Sequence, residues 1–264
     1  MSSPVLSTLE PAARSALAAY LLTIADDELI LGHRHSEWTG FAPDIESDVA
    51  LSSVAQEEIG HARLFFERVG ELTGGDPDTL AYGRRPEAFR NAVLVERPNG
   101  DWGFTLVRMF LYDHADAVRL DALAAGTVKP LADLAKILLR EEKYHRLFSE
   151  QWLRRLTQAT PDSRRRIQEA LTRAWPEAGA IFEPVPGQDA LVDAGALAVP
   201  AGLQMRWRQT VAPLLQEMGL NIPNSTAGEG MGAGWRRAGR HTEDLRTLLD
   251  EMTSVWSSEP GAKW

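Results

Sequence analysis

The sequence contains no cysteine among its 264 residues. Disulfide bonds, thiol catalysis and cysteine-ligated zinc or iron–sulfur clusters are therefore excluded. An excess of basic residues is also missing, since the formal net charge is −9 and the isoelectric point is about 5.2. That balance argues against nucleic acid or an anionic membrane as the main partner.

Long apolar runs are absent as well. No stretch approaches the roughly 20 apolar residues that span a bilayer. The first residues lack the basic and apolar regions of a secretory signal. We therefore expect a cytoplasmic location. The hydrophobic content of 44% is ordinary for a globular protein, and the chain is long enough to bury a sizeable core.

What the sequence does contain is a repeated Glu-x-x-His spacing. It occurs as Glu58-x-x-His61 and again as Glu142-x-x-His145, each inside a long segment without proline. Residues three apart project from the same face of a helix, so each pair can hold one metal ion. Two such pairs, with one further carboxylate from each of two other helices, form the ligand set of a carboxylate-bridged di-metal site in a four-helix bundle.

Hairpin geometry indicates where the further carboxylates lie. Antiparallel neighbouring helices meet at one level when the residues are equally far from the turn that joins them. Reflecting Glu58 through the turn at Pro43 gives Glu28. Reflecting Glu142 through the turn between the third and fourth predicted helices gives a position next to Asp113. The two spacings are 30 and 29 positions, so the sequence indicates two matching hairpins. The predicted metal ligands are Glu28, Glu58, His61, Asp113, Glu142 and His145.

Each ligand competes with a simpler interpretation. Glu28 belongs to the acidic run 26–28, where a solvated acid is the plainer explanation and Asp27 is a rival ligand. Glu37 is a further rival, although it lies too near the turn to face Glu58 across a simple hairpin. Either Glu-x-x-His pair alone would indicate an ion pair satisfied in the core. The repetition with a matched acid favours a metal site.

Four carboxylates and two imidazoles suit iron or manganese. We expect two such ions, because two divalent cations would neutralise the mutual repulsion of acids gathered in a core. No flavin, NAD or iron–sulfur cluster is expected on this chain. The sequence assigns no catalytic residue.

Hydrophobic periodicity predicts an all-α protein. A four-helix bundle is expected from helices at about 9–38, 44–73, 102–126 and 130–157. Residues 75–101 should form an irregular connection with solvated arginines. Further helices are expected at 163–174, ended by Pro176, at 203–218 and at 241–255, with a long connection at 184–200. We expect one domain over 1–264, with a core at about 9–157 and a helical extension at about 161–264.

Four segments carry a resemblance to a known family. They are Gly32 to Trp38 with Ala42-Pro43, Asn91 to Gly100, Tyr144 to Ser149, and the tail from His241 to Trp264. The chain resembles the phenylacetyl-CoA epoxidase family of phenylacetate degradation, a multicomponent bacterial monooxygenase, and is most similar to its C-type subunits. The Val-Glu-x-Pro-Asn-Gly segment and the tail are the specific parts.

The resemblance implies a ferritin-like bundle with additional C-terminal helices. It also implies a complex in which this chain pairs with a catalytic A-type subunit. The di-iron site of that partner activates dioxygen and epoxidises the aromatic ring of phenylacetyl-CoA, and a separate reductase supplies electrons. In familiar members the C-type subunit is a scaffold with degraded ligands. The six residues predicted above depart from that pattern.

Three functions stay open from the sequence. The chain is a structural partner of the catalytic subunit, a di-iron oxygenase component in its own right, or a ferritin-like iron-binding protein. We expect a homodimer or heteromer, with contacts through the glycine-rich region 222–239 or the C-terminal helix. Neither nucleic acid nor a membrane is expected as a partner.

Overall fold

The computed structural model describes residues 9–197, 202–224, 237 and 239–259. Their regular structure is entirely helical and includes no β-strand, which confirms the predicted all-α class. The α-helices in chain order are α1 (Pro11–Ser36), α2 (Ile45–Thr73), α3 (Pro77–Tyr82), α4 (Val93–Glu96), α5 (Trp102–Ala124), α6 (Lys129–Ala159), α7 (Pro161–Ala178), α8 (Gln188–Asp193), α9 (Leu203–Glu217), α10 (Glu243–Met252) and α11 (Ser254–Ser258).

The four long helices α1, α2, α5 and α6 begin and end within two residues of the predicted positions. Local chemistry sets several of these ends. The Asp44 side chain accepts a hydrogen bond from the Ser47 backbone N–H at 2.7 Å and caps α2. Gly74 ends the same helix in the left-handed conformation, with φ of 78°. Among the described residues, no helix combines the length and hydropathy needed to cross a bilayer.

The chain folds as two compact units. One unit comprises residues 18–98 and the described C-terminal residues 237 and 239–259, and is called unit 18–98. The other, called unit 99–224, comprises residues 9–17, 99–197 and 202–224. The expected organisation as one domain stays a prediction. Most of the glycine-rich region 222–239 and the last residues 260–264 lie outside the described residues.

In unit 18–98, α1 and α2 approach closely at Gly32. A Cβ atom on this glycine would lie 2.8 Å from Ile59 Cγ1 and 3.1 Å from Glu58 Cβ. A larger residue would therefore force the helices apart at the level of Glu58. The absence of a side chain at position 32 brings the two helices together where the predicted ligands lie.

The connection at 75–101 is more ordered than predicted. It contains α3, a short 3-10 turn at Pro86–Ala88, and α4. The expectation that its arginines are solvated is wrong for Arg84, whose side chain is 11% exposed and pairs with the buried Asp26. The physical reason is that an acid buried in α1 needs a partner, and the connection supplies it.

In unit 99–224, α5 packs against α6, α7 and α9. Every residue from Gly103 to Leu120 is buried. A helix surrounded in this way is the central element of a core rather than a half-exposed surface helix.

The predicted end of α7 before Pro176 is wrong. The helix continues to Ala178, with Pro176 inside its last turns. A proline near a helix end removes a single backbone hydrogen bond, and the neighbouring Trp175 offsets that loss by packing. Its ring is buried and stacks on Trp207 at a centroid distance of 5.1 Å. The expected connection at 184–200 contains the short helix α8.

Candidate metal centre

Three of the predicted ligands meet in unit 18–98. Glu28 lies on α1, and Glu58 and His61 lie on α2. All three are buried, with exposures of 0%, 0% and 3%. His61 Nδ1 is 3.5 Å from Glu28 Oε2. One ligand atom from each residue lies within 4.8 Å of the others. The two helices therefore bring two carboxylates and one imidazole to one point.

The two acids before Glu28, of which Asp27 was the rival ligand, have other partners. Asp26 accepts hydrogen bonds from Arg84 Nη1 at 3.0 Å and from the Arg90 backbone N–H at 2.7 Å. Asp27 accepts from the Ala92 backbone N–H at 2.7 Å and pairs with Arg237. Both acids thus attach the 75–101 connection or the C-terminal segment to α1.

Glu37, the remaining rival, also has a structural partner. Its carboxylate lies 2.6 Å from Arg34 Nη1, one helical turn away. Of Glu28 and its rivals Asp27 and Glu37, Glu28 is the one whose oxygen lies beside His61.

The other three predicted ligands lie in unit 99–224. Asp113 lies on α5, and Glu142 and His145 lie on α6, all with 0% exposure. His145 Nδ1 is 3.2 Å from Glu142 Oε1. The Ser149 hydroxyl, one turn after His145, is 3.5 Å from Asp113 Oδ2. This unit therefore also places one acid on a first helix and a Glu–His pair on a second.

The donor chemistry of each set fits a metal ion. A buried carboxylate is costly unless a proton, a cation or hydrogen bonds compensate it. In each set an imidazole nitrogen faces a carboxylate oxygen, and a proton or a cation must lie between two such acceptors. Carboxylate oxygen and imidazole nitrogen suit iron and manganese. Ligation by these six residues stays a prediction.

Comparison with known proteins places the chain in a family. The family described as phenylacetic acid catabolic protein matches residues 6–264. The chain belongs to this family. It is 34% identical over 249 residues to the C component of 1,2-phenylacetyl-CoA epoxidase from Escherichia coli (strain K12), a match covering 94% of this chain and 99% of that protein. It is 24% identical over 161 residues to the A component of the same enzyme and organism, covering 58% of this chain and 52% of that protein.

The predicted resemblance is thereby confirmed. Membership of the phenylacetic acid catabolic protein family, together with the all-helical structure, also confirms the ferritin-like fold class. The likeness to the C component extends along nearly the whole chain, whereas that to the A component covers little more than half of it.

A buried cluster around Glu96 connects the two segments that were most specific to this phenylacetic acid catabolic family. Glu96 is 0% exposed and ends α4. Its carboxylate accepts hydrogen bonds from Asn91 Nδ2 at 2.9 Å and from the Thr242 N–H and hydroxyl at 2.7 and 2.8 Å. His241 Nδ1 lies 2.8 Å from it. Sequence reasoning missed this contact, although a glutamate in the apolar run 93–96 was a signal that it is buried with partners.

His114, the residue after Asp113, is buried. Its Nδ1 is 2.8 Å from the Phe110 carbonyl and its Nε2 is 3.1 Å from Glu150 Oε1. These two contacts join His114 to its own helix α5 and to Glu150 on α6. The hydrogen bond from His114 lowers the pKa of the Glu150 carboxyl. His114 therefore fixes α5 to α6 next to Asp113.

Proposed function

We propose that this chain is a subunit of a phenylacetyl-CoA epoxidase, which epoxidises the ring of phenylacetyl-CoA in aerobic phenylacetate catabolism. Its role is that of structural partner to a catalytic A-type subunit. The observation that carries this proposal is the alignment over 94% of this chain and 99% of the E. coli C component. A likeness confined to the ligand motifs would support only a shared type of site.

The Glu96 cluster supports the same role. Residues 241 and 242 dock on a buried carboxylate, and Arg97 Nη1 pairs with Asp244 Oδ2 at 3.0 Å. These hydrogen bonds and this ion pair attach the C-terminal residues to α4 and its neighbours, and they involve none of the six predicted ligands. The segments most specific to the family thus serve architecture, as a structural subunit requires. Partners would be the A-type subunit, other components of the complex and a reductase that supplies electrons, in a homodimeric or heteromeric assembly.

The proposal includes a metal site on this chain. The proposed ligands of iron or manganese are Glu28, Glu58 and His61 in unit 18–98, and Asp113, Glu142 and His145 in unit 99–224. When bound, a pair of such ions supplies dioxygen activation. The chain itself excludes water from these side chains, since all six are at most 3% exposed. Without metal, the same side chains would hold protons between acid and imidazole.

A second function follows if the metal is present and reactive. All the residue types that a di-iron site needs are present, and the six side chains are buried. This favours a di-iron oxygenase component over a scaffold with degraded ligands. A ferritin-like iron-binding protein would use the same donors. Turnover of phenylacetyl-CoA separates these two functions, because an iron-binding protein would load metal without contributing to epoxidation.

The proposed structural role is tested by co-expression with the A-type subunit encoded in the same organism. We expect a complex that co-purifies and epoxidises phenylacetyl-CoA when the reductase is added. On its own, the A-type subunit should be less active or less stable. Full activity of that partner without this chain, together with failure to co-purify, would contradict the proposed role.

The metal site is tested by elemental analysis of protein expressed in iron- and manganese-replete medium. We expect about two ions per chain, lost in Glu58→Ala and His145→Ala. Glu57→Ala and Glu141→Ala are the matched controls, because each removes a neighbouring acid of the same motif that is not a predicted ligand. Retention of metal in both ligand variants, or its loss in the controls, would overturn the assignment.

A further inference from the structure

The surface carries two patches of exposed hydrophobic side chains, one in each compact unit. Eight large hydrophobic side chains are exposed in the part of the chain that the structure describes, and six of them belong to these patches. In unit 18–98 the patch consists of Phe41, in the turn before α2, and of Ile45 and Val49 on α2, exposed by 77%, 80% and 62%. Ile45 and Val49 are four residues apart and therefore lie on the same face of the helix. Clustered exposure of this kind marks an interaction surface, whereas single exposed hydrophobic residues do not.

The charged residues within this patch are all acidic. Asp44 and Glu46 are exposed between its hydrophobic members, and Asp48 is half-buried beside them. The sequence contains no lysine or arginine between Arg34 and Arg63. We call this surface, formed by residues 41–49, the acidic patch. It offers a partner hydrophobic side chains surrounded by negative charge.

The patch in unit 99–224 lies on α6 and has the opposite charge. Its hydrophobic members are Ile137, Tyr144 and Leu147, exposed by 53%, 70% and 44%. The other fully exposed side chains from 134 to 149 are all basic, and they are Lys136, Arg140 and Lys143. Spacings of three, four and seven residues place these six along one side of the helix, away from the side that buries Glu142 and His145. We call this surface the basic patch.

We propose that the acidic patch of one copy of this chain binds the basic patch of a second copy. Each patch supplies what the other lacks, since both expose three large hydrophobic side chains and their charges are opposite. Contact between two acidic patches or between two basic patches would bring like charges together, which is costly at an interface. An anionic membrane or a nucleic acid would suit the basic patch alone and leave the acidic patch exposed. The inference is independent of the proposed epoxidase role and of any metal.

Analytical ultracentrifugation of the purified full chain tests this contact. We expect reversible self-association that weakens when salt is raised from about 50 mM to about 500 mM, because salt screens exposed charges. Ile45→Lys brings a cation against the basic patch, and Tyr144→Glu brings an anion against the acidic patch. Each should weaken self-association at least about tenfold. Met205→Lys is the matched control and should change nothing, because Met205 is 60% exposed on α9 and lies outside both patches.

A mixture of the two variants identifies which patches meet. The Tyr144→Glu copy keeps its acidic patch and the Ile45→Lys copy keeps its basic patch, so the two proteins should associate with each other although neither associates with itself. A contact between two identical patches would be lost in only one of the variants, and mixing would not restore it. Either of these results would overturn the proposal.

Melting temperatures separate a lost contact from a lost fold. Both substitutions are at exposed positions and should leave the melting temperature unchanged. If either variant melts below the parent, Val49→Lys and Leu147→Glu test the same two patches. A parent chain that stays monomeric at every concentration would also overturn the proposal. If that monomer binds the A-type subunit less tightly in either variant, the patches serve that partner and not a second copy.

Discussion

Three adjacent acids in α1 have different roles because successive helical residues point about 100° apart. Asp26 and Asp27 face the 75–101 connection and the C-terminal segment, where arginines and backbone N–H groups bind them. Glu28 faces α2 and lies beside His61. All three are buried, so burial alone does not identify the ligand. The chemistry of the nearest partner does.

This difference predicts opposite effects for two neighbouring substitutions. Asp26→Asn should lower the free energy of unfolding by about 3–5 kcal/mol, because it leaves the mostly buried Arg84 without its carboxylate. Its metal content should not change. Glu28→Gln should lose metal, with a smaller loss of stability. Urea denaturation and elemental analysis of the same preparations measure both. Metal loss in Asp26→Asn with retention in Glu28→Gln would reverse the assignment.

His33 gives a prediction about pH. Burial lowers the pKa of this imidazole below its usual 6.5, and the opposing effect of Glu251 is weaker. The unfolded chain therefore binds the proton more readily, so stability is fully present above about pH 6.5 and is lost as pH falls towards the folded pKa. The free energy of unfolding should fall as pH drops below about 6.5, and by less in His33→Gln. An equal fall in both proteins would show that His33 contributes nothing.

Residues that act through local geometry could be predicted from the sequence. The spacing within Glu58-x-x-His61 is a property of one helix, and the mirrored Glu28 follows from one turn. The partner of Asp26 could not be predicted, because Arg84 is 58 positions away and its placement depends on how the connection folds. The same is true of Glu96 and Thr242, which are 146 positions apart.

At the scale of elements, the ends of a helix could be predicted where a capping residue marks them. A proline near the end of a helix led to a wrong prediction. Asp44 and Gly74 bracket α2 as their types suggest. Pro176 predicted a stop, yet α7 passes through it while Trp175 packs in the core. Tertiary packing outweighs the tendency of proline to end a helix when only one backbone hydrogen bond is lost.

The attachment of α10 yields a prediction at this scale. Glu96→Gln should cost about 3 kcal/mol, because an amide cannot accept all the hydrogen bonds that reach the buried carboxylate. Hydrogen exchange in 243–252 should accelerate. Glu87→Gln is the matched control, since Glu87 also holds the C-terminal segment, through Arg246 at 2.7 Å, but both side chains are more than half exposed. It should cost about 1 kcal/mol at most. Equal effects of the two substitutions would contradict the central role of Glu96.

At the scale of the whole molecule, the C-terminal segment belongs to unit 18–98 although it is distant in sequence. Deleting residues 241–264 would remove donors from the buried Glu96 carboxylate and expose the apolar surface that Leu245 and Leu249 cover. Loss of a complex after that deletion would therefore reflect unfolding as much as a lost interface. A surface substitution on α11 is the sharper test of the predicted C-terminal contact.

Val255 offers that test. It is 58% exposed on α11, whereas the adjacent Trp256 faces Tyr82, so a change at Val255 leaves the internal contact in place. If α11 contacts the A-type subunit, Val255→Asp should weaken co-purification at least about fivefold, because a charge would be buried against the partner. Ser257→Asp adds the same charge at another exposed position of α11 and should have a smaller effect. Both variants should retain the melting temperature of the parent. A complex of unchanged affinity in Val255→Asp would remove this face of α11 from the interface and leave the predicted contact to the region 222–239.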